Sequence, residues 1–232
     1  MSDIGGEVRL GSMLFTLVEP HRGHEAAYNR WYERDHFYAG CMVGPWLFAG
    51  RRFVATRALK DQRTGTEVDR FGGAYLGSYL AVYWILDGRH DDHVDWALRQ
   101  VQWLHANGRM FAERDHIHTL MYRHAFTAGT SPVPAELALD HPFGGLTATL
   151  HRPDPTFEPE GELVLGFTPI PLPPDAPVSQ QGLAGIDDCV LTLSFSTSAP
   201  TAASAGGVGE VLWSAPFVPT VPGADAHVDQ LW

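Results

Sequence analysis

Apolar positions alternate with polar ones at two periods along this chain. Met13-Leu-Phe-Thr-Leu-Val18 is a β-rich run stopped by Glu19-Pro20. From His24 to His36 the period lengthens, and Ala27, Tyr28, Trp31 and Tyr32 fall at one-turn spacing, which predicts a helix. Gly40, Gly44 and Pro45 break it. Strands are predicted over Arg52–Leu59, Tyr79–Leu86 and His116–Phe126, with a polar, Gly-bearing loop over Gln62–Gly77. Between the last two strands, Val94, Ala97, Leu98, Val101, Leu104 and His105 mark a helix over Asp91–Asn107, with Asp91 or Asp92 at its start and Gly108 at its close. The order is β-α-β-β-α-β, a ferredoxin-like arrangement. On the third strand Leu80, Val82, Trp84 and Leu86 are expected to face the helices.

Beyond residue 126 the pattern changes. Strand-like runs occur at Gly145–His151, Glu162–Thr168, Cys189–Ser196 and Glu210–Ala215, and no stretch holds a helical period for three turns. Thr168–Pro177 reads as an extended polyproline connector and Thr197–Gly209 as a low-complexity loop. Fifteen of the 17 prolines follow residue 126, so two regions are expected: 1–126, an α+β domain, and 127–232, a β-rich, Pro-rich domain or a degenerate copy of the first.

Charge sharpens the division. The formal net charge is -11 over 232 residues, and residues 126–232 hold a single basic side chain, Arg152, among the 16 Lys and Arg of the chain. With no basic stripe, nucleic acid and anionic membranes are poor partners; a neutral apolar or aromatic small molecule suits the chain better. Two cysteines, Cys41 and Cys189, make no disulfide framework, and Met1–Leu10 shows no secretory pattern, which together suggest a cytoplasmic protein. The longest apolar run, Tyr79–Leu86, is too short to span a bilayer.

The helix-1 segment Tyr28-Asn-Arg-Trp31-Tyr32-Glu-Arg-Asp35-His36, after a first strand and ahead of a Gly/Pro turn and Arg51-Arg52-Phe53, resembles the dimeric α/β-barrel superfamily, and within it EthD-like proteins with a WY-x-x-x-H pattern. The resemblance covers about residues 12–126. It implies a ferredoxin-like sheet paired with a second one, in a homodimer or an internal pseudo-dimer, around an apolar pocket. Members act as lyases, isomerases, cyclases or monooxygenases, many without cofactor and some with haem, so it implies a pocket better than a reaction.

His36 is the leading candidate. An imidazole at a pocket wall takes a proton from carbon or oxygen and returns it elsewhere, although the same residue also suits the C-terminal end of a helix. Tyr32, one turn earlier, and Tyr83 on the third strand are candidate donors to an enolate, with Arg52 as a second stabiliser of negative charge. Trp31, Trp84, Tyr122 and His118 are the expected substrate-contacting residues. Asp35 could orient His36, and Cys41 reads as an inert thiol. The twelve histidines give only His116-Ile-His118 and His90-Asp-Asp-His93, neither with a full ligand set, so no metal and no organic cofactor is expected. The function this predicts is a cofactor-independent lyase, isomerase or cyclase that acts by histidine-mediated proton transfer on an apolar or aromatic carbonyl compound. The alternatives are a non-catalytic carrier of a hydrophobic metabolite and a cofactor-free or haem monooxygenase. Trp96 and Trp103, on a stripe of helix 2, are expected to be covered by a partner subunit or by residues 127–232.

Overall fold

A computed structural model describes residues 7–171, 185–201 and 209–232. Eight antiparallel strands close into a barrel: β1 (Leu10–Pro20), β2 (Leu47–Val54), β3 (Tyr79–Leu86), β4 (Arg114–Ala128), β5 (Gly145–His151), β6 (Leu163–Pro169), β7 (Val190–Ser196) and β8 (Val211–Pro219). Around the ring the order is β1-β3-β2-β8-β5-β7-β6-β4. Each half of the chain contributes four contiguous strands. The halves join at two seams, a long one between β4 and β6 and a short one where Phe53 pairs with Pro219 and Val54 with Val218.

This corrects the ferredoxin-like, dimeric α/β-barrel expectation. The protein is predominantly β, a closed barrel within one chain, with three short α-helices among the described residues: α1 (Glu25–Trp31), α2 (Arg57–Lys60) and α3 (His90–Ala106). The reason lies in the inner face. Phe15 and Leu17 of β1, Phe53 of β2 and Trp84 of β3 share one buried cluster with Leu146 of β5, Leu165 of β6, Leu193 of β7 and Trp213 of β8. Strands of the second half therefore cover the apolar face of the first half within the chain, and no open two-layer sheet is left. The polyproline and low-complexity segments lie partly outside the described residues.

The expected facing of β3 is reversed. Leu80, Val82 and Trp84 line the barrel interior, while Tyr79, Ala81 and Tyr83 lie outside beneath α1 and the segment that follows it. Nearly every β3 residue is apolar and buried, so alternation carries no signal for which face is which. The outer face of the second half is different in kind. It is hydroxylic: Thr149 Oγ1 lies 2.9 Å from Ser214 Oγ, and Thr147 Oγ1 donates to the Thr201 carbonyl at 2.7 Å. Such a face satisfies itself with hydrogen bonds and needs no amphipathic helix over it, which accounts for the helix-poor pattern there.

The barrel is filled by side chains. Trp213 stacks on Phe71 with ring centres 4.9 Å apart, and Trp84 stacks on Phe167 at 5.7 Å. Trp213→Ala is therefore expected to lower unfolding free energy by about 3–5 kcal/mol, whereas Leu137→Ala, at an exposed turn, should change it by under about 0.5 kcal/mol. Urea titrations of both variants check this, and equal losses would contradict the filled interior.

Candidate functional site

The helix predicted over His24–His36 does not run as an α-helix to its end. After Trp31 it widens into a π-helix, Tyr32–Met42, whose last turn is closed by the Val43 N–H donating to the Tyr38 carbonyl at 3.0 Å. π-Helical turns are rare and cluster at functional sites. The widening has a direct consequence for His36. In an α-helix, residues five apart point about 140° away from each other. Here Trp31 and His36 stack, ring centres 4.5 Å apart and planes within 20°. Gly40 sits against the other side of the imidazole, where a Cβ would come within 2.8 Å of Cε1.

The π-helix lies over the outer face of β2 and β3. Tyr32 meets His36 edge-on at 5.2 Å, and its phenol oxygen is 2.9 Å from that of Tyr83. Arg52, on the outer face of β2, is buried among aromatic rings, with its guanidinium carbon 4.4 Å from the Tyr32 ring centre and 5.1 Å from that of Tyr79. Its Nη1 donates to Asn29 Oδ1 at 2.9 Å and to Glu33 Oε1 at 3.4 Å. All four residues proposed for chemistry, His36, Tyr32, Tyr83 and Arg52, thus come together, and Trp31 joins them.

Three buried polar atoms of this cluster have no hydrogen-bond partner: His36 Nδ1, Arg52 Nη2 and Tyr79 Oη. Orphaned buried donors and acceptors are costly, at about 1–3 kcal/mol each, so three within one cluster mark it out. Burial holds the His36 pKa down to about 3, with the positive charge of Arg114 adding to the effect, so the ring is neutral at physiological pH. Burial likewise raises the Tyr32 and Tyr83 phenols well above their ordinary value and the Cys41 thiol to about 12. Cys41 is thus no nucleophile. Asp35 does not orient His36; its carboxylate pairs with Arg109.

The remaining expected residues lie across the sheet. His118, Tyr122 and Trp84 point into the barrel, where His118 Nε2 is 2.7 Å from the Tyr122 phenol oxygen. Burial lowers His118 to about 4, and its Nδ1 has no partner. These three cannot touch a ligand held against His36. Tyr28, Asn29, Glu33 and Tyr79, by contrast, belong to the cluster and were not anticipated. Tyr28 and Asn29 lie one turn before Tyr32, and Tyr79 shares the strand face of Tyr83, so helix and strand spacing applied together would have found them. Among the described residues no three His, Cys, Asp or Glu side chains converge as a metal site would require.

No model of a known protein family matches the chain, and no curated protein is similar to it, so the resemblance to EthD-like proteins carries no argument further.

The buried histidines make stability depend on pH. The folded-state pKa of His118 lies below its unfolded value near 6.5, so between about pH 4 and 6.5 the unfolded chain binds a proton that the folded chain refuses. Its contribution is intact above pH 6.5 and is lost as pH falls, by roughly 3 kcal/mol at most. His36 acts in the same direction down to about pH 3. Urea midpoints should therefore fall between pH 7.5 and 4.5, and fall less in His118→Phe. Equal midpoints at the two pH values would overturn the neutral buried imidazoles.

Proposed function

We propose that the protein is an enzyme that moves a proton on an apolar or aromatic carbonyl compound without a cofactor, in the manner of a lyase, isomerase or cyclase. The observation that carries this reading is the pair of unpartnered atoms, His36 Nδ1 and Arg52 Nη2, in two residues that both pack against the Tyr32 ring. In the tautomer with hydrogen on Nε2, Nδ1 offers a lone pair to an acidic C–H. As that proton moves, the C–H electron pair becomes the C=C bond of an enolate, the carbonyl π pair shifts onto oxygen, and Arg52 stabilises the charge that develops there.

The depressed pKa bears on the mechanism in two ways. It keeps His36 in the proton-accepting form throughout the physiological range, and it makes the imidazole a weak base on its own. Negative charge developing on the substrate beside the ring raises that basicity as it is needed. Tyr32 and Tyr83, locked as neutral phenols, act as donors and not as bases. Trp31 and Tyr79 both pack against Tyr28, so the cluster is aromatic and apolar in its surroundings, which favours an apolar substrate over a charged one.

Two free, buried cysteines suit a reducing compartment such as the cytoplasm. Among the described residues no helix is long and apolar enough to cross a membrane.

Phenylacetone, an aryl ketone with acidic α-hydrogens, is a suitable probe. In deuterium oxide with chelator present, the protein is expected to accelerate α-proton exchange, read by NMR. His36→Gln should reduce the acceleration by roughly 10²–10⁴-fold while leaving the circular dichroism spectrum intact. The rate should stay level from pH 8 to pH 5, because His36 remains neutral over that range. Exchange no faster than buffer, or equally fast in His36→Gln, would reject the reading.

A further inference from the structure

An open cleft of about 530 Å³ separates the π-helix from α3. It lies on the solvent side of the π-helix, apart from the groups assigned to proton transfer, and its volume is within the range of small-molecule sites. Arg34, Asp35 and Tyr38 line it from the π-helix, Gln100 and Trp103 from α3, and Arg109 from the turn that follows.

Two features of the lining are unusual for a solvated surface. The first is aromatic exposure. Trp103 is 49% exposed and Tyr38 54%, so folding leaves two large rings in water on either side of one concavity. Trp96, two turns earlier on the same helix, shows the contrast: it is packed against Gly44, where a Cβ would come within 2.3 Å of its ring. Trp96 is thus covered by the turn after the π-helix and not by residues 127–232, while Trp103 stays half exposed.

The second feature is charge. The cleft holds two guanidiniums against one carboxylate in a protein of net charge -11. Arg109 is committed, paired with Asp35 and set 5.5 Å from the Trp103 ring centre, which fixes the indole in place. Gln100 is committed as well, its amide donating to the Ala39 carbonyl. Arg30, one turn before Arg34, is spent on Asp225. Arg34 makes no hydrogen bond or close ion pair among the described residues; the carboxylate that feels its charge, Asp225, is already paired with Arg30, which leaves the five donors of the Arg34 guanidinium unpaired in the cleft that both rings line.

The geometry points to a binding site for an aromatic carboxylate in this cleft, its ring held between Trp103 and Tyr38 and its carboxylate on Arg34. A guanidinium matches a carboxylate in a bidentate fork, and an aromatic face takes up the apolar body. The acidic balance of the rest of the chain disfavours small anions without such a body, so the site selects for the combination. This inference concerns binding alone and stands whether or not His36 transfers protons.

The probe is 2-naphthoate, titrated against the intact protein and followed by the indole NMR signal of Trp103, identified by its loss in Trp103→Phe. Saturable binding is expected. Arg34→Gln should weaken it at least tenfold, and so should replacing the probe with 2-naphthamide, which keeps the rings and lacks the charge. Arg34 is exposed, so its substitution leaves the fold intact. Absence of a saturable Trp103 shift up to about 10 mM would overturn the inference, as would equal affinity for the amide or unchanged affinity in Arg34→Gln.

Discussion

The inner faces of eight strands have to be removed from water, and the rest of the structure follows from how that is done. Phe15, Phe53, Trp84 and Tyr122 from the first half present too much apolar surface to be left in solvent. Leu146, Leu165, Phe195 and Phe217 from the second half meet them, and closure removes every sheet edge at once. Because both halves belong to one chain, closure is a loop-closure event whose entropic cost grows only slowly with the length of chain between the joined strands.

With the interior filled, the candidate site lies on the outside of the barrel. The outer face of β2 and β3 is apolar except for Arg52, and α1 with its π-helical continuation covers it. That cover produces a buried guanidinium ringed by tyrosines and a neutral imidazole stacked on tryptophan. The π-helix is the decisive local device, since it turns His36 onto Trp31 and brings Gly40 against the ring. It also turns Arg34 and Tyr38 outward, so a single irregular helix builds a buried cluster on one side and a solvent cleft on the other.

Much of this was legible in the sequence, and the failures have physical causes. The runs at Tyr79–Leu86 and Gly145–His151 coincide with β3 and β5, because β-branched and aromatic residues bounded by turn formers are strong local signals. The convergence of His36, Tyr32, Tyr83 and Arg52 was also within reach, since helix and strand spacing place each on one side of its element. The facing of β3 was not, because a strand buried on both sides has no polar alternation to read. Closure was not either: the β2–β8 seam joins residues 54 and 218 through two pairings, and no local pattern encodes so distant a contact. The π-helix was not legible because Trp31 and His36, five residues apart, share a face only once the turn has widened, and no residue of the segment signals that widening.

The central claim is that the barrel closes within a single chain. It is tested most directly at the short seam, with a sample mixed from chains in which only Val54 methyls or only Val218 methyls are visible by NMR, compared with a chain carrying both labels. Intramolecular closure predicts a nuclear Overhauser effect between Val54 and Val218 in the doubly labelled chain and none in the mixture. A cross-peak in the mixture, or none in the doubly labelled chain, would contradict it.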